Sequence, residues 1–346
     1  MYIYLVATLL SMIAAYINSK RMSNNKTKLW KAVFWTSLPL MILAAFRYKV
    51  GTDYNTYYNS YWTINKNVSI ISEYVYVAIV KALYLISADP QFIFIIHAIV
   101  FFWFLYPQVF KDSPYPALSI FVLVGFRYYF AYLNIMRQLT GCAILVYSIR
   151  YIEEDDFKKF LLCLILATGF HYSCAIFIIV YFMRNQKISL VTSILVFITL
   201  ILLREIIAVF VRDNWLFSYY ANYIKIDASG DSSVRNIFLQ IFLYCFAYIF
   251  RDKSQKYKIY LNCQFYTVVV MIFSGLIDLI ERVRFVFGFP VIILLPLSIK
   301  NIKDKKLKYL AIISMLLFFS WYVWQGTAVN DMYNVLPYQY KIISFK

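Results

Sequence analysis

The residues best suited to chemistry in this chain are arginines, a histidine and an aspartate, each set where an apolar run meets a short polar break. The most polar of these breaks is FRYKVGTDYNTYYNSYW, from Phe46 to Trp62, with Arg47, Lys49, Gly51 and Asp53 followed by Tyr54, Tyr57, Tyr58 and Tyr61. An arginine ending an apolar helix, a glycine permitting a tight turn and an aspartate followed by aromatics suit a mouth for an anionic, sugar-bearing ligand. They equally suit an interfacial loop whose Tyr and Trp side chains anchor helix ends among headgroups.

Three further constellations repeat the theme. In NIMRQ, Arg137 and Gln138 open an apolar helix, where a buried arginine is costly unless it faces a cavity or pairs with an anion; the plainer reading is a snorkelling side chain. In GFHYS, His171 sits at a break inside a long apolar run, which sets it apart from His97, a mid-helix packing residue in IIHAIV. In DLIERVR, Asp278 and Glu281 stand beside Arg282 and Arg284, so the acids either hold the arginines ready or make a purely structural cluster. Arg127, in GFRYYF, adds a cation at the same level.

The elements that must position these groups are membrane helices. The 346 residues are 62% hydrophobic and 21% aromatic, and apolar runs of spanning length follow one another along the chain, so the chain reads as an all-α integral membrane protein. About ten candidate crossings fit: Tyr2–Asn18, Lys31–Phe46, Gln91–Tyr106, Ala117–Tyr132, Ile135–Tyr151, Ile188–Ile207, Asn236–Phe250, Ile259–Ile280, Arg284–Ile299 and Tyr309–Trp324. The net charge of +17 falls in short blocks between these runs, a pattern of cytoplasmic loops that argues against nucleic acid as a partner. The blocks Lys20–Lys31, Arg251–Lys258 and Lys300–Lys308 are expected on the cytoplasmic side. Their parity requires Phe157–Met183 to return to the side it came from, as a hairpin broken at Gly169–His171, which makes about ten to twelve crossings in all. Ser72–Ser87 reads as an amphipathic helix at the interface. In the alternative topology Ser72–Ser87 crosses and Phe157–Met183 crosses once.

In the preferred arrangement lysines gather inside, while Arg47, Arg127, Arg137, Arg204, Arg212, Arg235, Arg282 and Arg284 fall outside, where a planar guanidinium can grip phosphate bidentately. A single polytopic domain over residues 1–346 is expected, with outer loops at 47–89 and 208–235. The five cysteines are scattered and the two histidines are far apart, so neither a metal site nor another cofactor is expected.

In family order, several of these elements resemble the polysaccharide polymerases of the Wzy/EpsG type. They are R-x-x-x-G-x-D-Y at Arg47 to Tyr54, the glutamate-led segment from Glu73, the R-Q pair Arg137-Gln138, the F-H-x-S element from Phe170 to Ser173, and the late arginines Arg282 and Arg284 before Phe285. Ile135-Met136 stands where that family usually has Gly-Ile or Gly-Leu before R-Q. The resemblance implies a GT-C-like helical fold in the cytoplasmic (inner) membrane. It also implies transfer of a growing glycan from undecaprenyl diphosphate to another lipid-linked repeat unit on the outer face. Its implied partners are undecaprenyl-diphosphate-linked glycans and membrane lipids, with room for a chain-length regulator and a flippase. On that reading Arg47, Arg137, Arg282 and Arg284 meet the diphosphate, with Arg127 and Gln138 beside them. His171 or Asp53 activates the acceptor, and Tyr54, Tyr57 and Tyr58 line the sugar path. A flippase for the same lipids would use a similar vestibule; a membrane acyltransferase would need a histidine near the N-terminus, which is absent.

Overall fold

The computed structural model describes residues 1–21, 26–69, 71–213, 231–274, 276 and 278–342, and the side chains of all of these except 21, 231–233 and 278–281. Helices α1 (Tyr2–Arg21), α2 (Lys26–Ala45) and α5 (Gln91–Asp112) are joined through two short helices, α3 (Tyr54–Asn65) and α4 (Tyr74–Tyr84). Next come α6 (Pro116–Gly125), α7 (Tyr128–Asn134), α8 (Met136–Glu153) and α9 (Phe157–Phe170), then a 3-10 turn over Tyr172–Phe177 and α10 (Ile178–Phe182). The chain continues through α11 (Leu190–Asp213), α12 (Asp231–Ile249), α13 (Gln255–Ile272), α14 (Asp278–Gly288), α15 (Val291–Asn301) and α16 (Lys305–Trp324). No strand occurs among the described residues, only one antiparallel bridge between Arg47 and Tyr340.

Among the described residues, five stretches are long and apolar enough to cross a membrane: Tyr2–Lys20, Gln91–Asp112, Leu190–Asp213, Arg282–Asn301 and Lys305–Val329. A sixth is available if α6 and α7, bent by 56° at their junction, form one span. Large apolar side chains are exposed along α11 and α16, such as Leu202 at 74% and Leu317 at 68%, as lipid-facing helices require.

Two ends of the molecule can be told apart by what ties them. At the lysine-rich end, helices start with side-chain caps that occupy otherwise free N–H groups: Asp156 accepts from the Lys159 amide, Ser254 from Tyr257 and Asp304 from Leu307. There the buried carboxylate of Asp112 pairs with Lys256 at 2.8 Å and accepts from the Tyr260 hydroxyl at 2.7 Å, while Arg150 donates to Gln108. The 18 residues of α8 separate this end from the arginine-bearing end by about 27 Å.

The long run from Phe157 folds back on itself. Asp155, before α9, accepts from the Tyr181 hydroxyl at 2.6 Å and pairs with Arg184, just beyond α10, so both limbs finish at the lysine-rich end. The tip, at His171, lies at the other end against Ser173 and Gln138. The run thus returns to the end of the molecule from which it starts.

The expected outer loops are more ordered than loops. Residues 47–89 contain α3 and α4, and α4 buries Tyr76, Val80 and Leu83 while Leu85 and Ile86 beyond its end are exposed. In 208–235, α11 continues to Asp213 and α12 begins at Asp231, and 214–230 lies outside the described residues. The tail after α16 straps the arginine end: the Tyr48 amide donates to Gln339 at 2.9 Å, the Gly51 amide to Asn334 at 2.8 Å, and Lys341 pairs with Asp89 at 2.8 Å.

Candidate functional site

The break between α7 and α8 organises the arginine end. Asn134 closes α7, and its Oδ1 accepts from both the amide and the hydroxyl of Thr52, at 2.5 and 2.6 Å. That latches the Gly51–Thr52 turn onto the break. Gly51 has φ +100, and a Cβ there would stand 2.5 Å from the Leu133 carbonyl oxygen, so the close approach needs glycine on both counts.

Arg47 lies under this latch. Its side chain is 0% exposed, its Nη1 donates to the Leu133 carbonyl, its Nη2 reaches Met136 Sδ at 3.5 Å, and its guanidinium rests 4.8 Å from the Phe94 ring centroid. A carbonyl left free at the end of α7 is thereby satisfied. The structure thus places Arg47 beneath the site rather than in it, unlike the expected contact with a diphosphate. Tyr54 is similarly placed: it stacks on Phe94 with ring centroids 4.8 Å apart and is 3% exposed.

Above the latch, Arg137 projects from the first turn of α8. Its Nη1 pairs with Glu73, which precedes α4, and its guanidinium lies 5.2 Å from the Tyr76 ring centroid. Tyr57 on α3 bonds with it, and the charge of Asp53 also acts on that tyrosine. The Asp53 carboxylate does not cap α3; among the described residues it accepts one weak hydrogen bond, from the Thr52 hydroxyl at 3.4 Å. Tyr58 is half-buried next to Tyr54, with ring centroids 5.9 Å apart.

Gln138 joins the hairpin tip to α14. Its amide donates to the Ser173 hydroxyl at 3.1 Å and to the Arg282 carbonyl at 2.5 Å. Ser173 in turn lies 2.8 Å from His171 Nδ1, and its backbone N–H also donates to that nitrogen at 3.3 Å. With Nδ1 occupied as an acceptor, a neutral imidazole carries its proton on Nε2. The free face of His171 is therefore a donor, suited to an anionic oxygen.

A second cationic group lies on the other side of α14. Arg127, at the bend between α6 and α7, has φ 66, and its guanidinium lies 3.7 Å from the Tyr322 ring centroid. Arg284 lies over Phe285 at 4.7 Å. Both arginines line one cavity of about 160 Å³ with Tyr128, Gln240, Thr267 and Tyr322. The arginines thus fall into two sets: Arg137 with His171 and Gln138, and Arg127 with Arg284. The Arg282 side chain is exposed; its carbonyl joins the first set through Gln138, and its charge also acts on His171. Asp278 and Glu281, the acids expected to hold the arginines, have side chains outside the described residues.

Glu73 and Asn134 are central here, although the sequence marks neither as a site residue. A lone acid heading an otherwise apolar segment was the available signal for Glu73, since such a charge must find a partner when buried. Asn134 carried no comparable signal. Among the described residues no three His, Cys, Asp or Glu side chains gather as metal ligands.

A family model described as the EpsG family matches residues 30–340. No curated protein and no solved structure matches the chain.

Proposed function

Because the chain belongs to the EpsG family, a family of Wzy/EpsG-type polysaccharide polymerases, we propose that it joins undecaprenyl-diphosphate-linked oligosaccharide repeat units on the outer face of the cytoplasmic membrane. The observation that carries this reading is the grouping of Arg137, Glu73, His171, Gln138 and Tyr57 at the tip of a broken helical hairpin, at the end remote from the lysine blocks. Non-helical backbone at membrane depth is tolerated where it lines a polar site. An outer position for this tip is supported by the lysines at the opposite end, through the positive-inside rule. In this reading about ten helical traverses flank the hairpin, counting α6 with α7 and α14 with α15 as single passes.

The reaction forms a bond from an acceptor sugar hydroxyl to the donor's anomeric carbon and breaks that carbon's bond to the diphosphate. Negative charge grows on the leaving oxygen, and preorganised donors aimed there lower the barrier. Arg137 supplies a guanidinium fork held in place by Glu73 and Tyr76, and His171 supplies its Nε2–H. The acceptor proton goes to Asp53, whose carboxylate no cap or ion pair occupies among the described residues. Tyr57 and Tyr58 lie along the approach of the sugar. Arg47 holds the α7–α8 break in register beneath Arg137 and so acts through position.

A strain lacking this chain tests the reading. Single repeat units should accumulate on their lipid carrier at the outer face, and purified chain should convert lipid-linked units into polymer. Accumulation at the inner face would indicate a flippase instead. Polymerisation surviving Asp53→Asn but not His171→Ala would remove Asp53 as the base and move that role to His171.

A further inference from the structure

The cavity at Arg127 and Arg284 has what is needed to hold an anion and lacks what is needed to transform one. Among the described residues its charged lining is two arginines, with amides from Asn236 and Gln240, hydroxyls from Tyr128, Thr267, Tyr322 and Tyr333, and no carboxylate or imidazole. The Nε of each arginine is a buried donor without a partner, and among the described residues no acid pairs with either side chain. Buried donors left unpaired are costly, so an acceptor-rich ligand stabilises the site.

Arg127 is held there at some expense. Its φ of 66 is a conformation side chains with a Cβ seldom adopt, and such outliers persist where the surroundings enforce them. Tyr322 stacks beneath its guanidinium, and the backbone at Gly326 comes so close that a Cβ would lie 2.2 Å from Arg127 Nη1. The volume of about 160 Å³ is well below the range of sites for drug-sized ligands. It excludes an oligosaccharide and admits phosphate groups. Two helices of its wall, α12 and α16, turn exposed apolar side chains outward, including Phe238, Phe242, Leu317 and Trp321. A ligand with a phosphate head and a long apolar chain fits both features.

We propose that this cavity is a separate, non-catalytic site for the diphosphate head of a second polyprenyl-linked substrate, so that the two carriers of one transfer are held on opposite sides of α14. The ligand's identity rests on the polymerase reading, because each transfer brings together two lipid diphosphates and only one of them is cleaved. The cleaved one belongs beside Arg137, where His171 and Asp53 can donate and accept protons. The intact one belongs where, among the described residues, no carboxylate or imidazole stands to move a proton. Arg284 and the Arg282 carbonyl that Gln138 binds are two residues apart on α14, roughly 200° around a helix, which turns one to each set.

The test counts undecaprenyl diphosphate bound to the full-length chain by native mass spectrometry, without turnover. The unmodified chain should bind two carriers. Arg127→Gln and Arg284→Gln should each weaken one equivalent about tenfold, the loss expected for a charged hydrogen bond, and Arg137→Gln should weaken the other. Gly326→Ala, which displaces the Arg127 guanidinium from behind, should act like Arg127→Gln and serves if that variant does not fold. Saturation at one carrier, or two equivalents unaltered in these variants, overturns the proposal. Inorganic pyrophosphate should compete poorly, and displacement of the lipid at equal concentration would show a site for a free anion instead. A chain that binds two carriers but makes no polymer refutes the polymerase reading and leaves the two-site count standing.

Discussion

Replacing Glu73 by Gln removes the carboxylate facing Arg137 while keeping its size and one acceptor oxygen. The two side chains are 10% and 18% exposed, and Arg137 Nε is already a buried donor without a partner. Deleting one member of a buried ion pair costs about 3–5 kcal/mol because the other charge is left uncompensated. The remaining exposure puts this pair at the lower bound, about 3 kcal/mol. Spread over 346 residues at an unfolding entropy of about 2.1 cal/mol/K per residue, that loss lowers the unfolding midpoint by roughly 4 °C. A diphosphate on Arg137 replaces the missing charge, so undecaprenyl diphosphate should stabilise Glu73→Gln more than the unmodified chain. Binding at the Arg127 cavity raises both proteins alike and cancels in the difference. Tryptophan fluorescence of the purified chain on heating, with and without the lipid, reads both effects. The double variant Glu73→Gln with Arg137→Gln should recover stability, since no lone charge remains. A single variant as stable as the unmodified chain refutes the account of the pair. Equal stabilisation of the two proteins by the lipid refutes contact between Arg137 and the diphosphate.

Arg137→Lys keeps the charge and loses the planar fork, so polymer yield or length should fall severely with the chain still present in the membrane; undiminished polymer would remove the bidentate role. Gly51→Ala should destabilise the chain by at least about 1–3 kcal/mol from backbone strain alone, seen as a lower unfolding midpoint, because its Cβ also meets the Leu133 carbonyl. Cysteines placed at Asp155 and Arg184 in a cysteine-free background should react with the same impermeant reagent from the same face of the membrane, and opposite labelling would break the hairpin. Polymerisation of purified substrate should persist in EDTA, and loss restored by a divalent ion would show that arginines alone do not stabilise the leaving group.

What the sequence determines here is set by properties that neighbours in the chain share. Runs of apolar residues dictate helices that cross lipid, because no other open backbone is satisfied there. The parity of the lysine blocks led to the expectation of a returning hairpin broken at Gly169–His171, and the pairing of Asp155 with Arg184 brings the two ends of that run together. The motifs from Arg47 to Arg284 also announced the family in order. Partners of buried charge are another matter, because desolvation is relieved by whatever group folding brings near. Arg47, the first residue singled out, ends under the Leu133 carbonyl, 86 positions away. Arg137 finds Glu73 across 64 positions, and Gln138 reaches the Arg282 carbonyl across 144. The tail after α16 closes on Tyr48 and Gly51 through backbone bonds that no side-chain pattern records. Which arginines become buried supports was therefore decided by tertiary packing, because periodicity reports the side of a helix and not the element that will cover it.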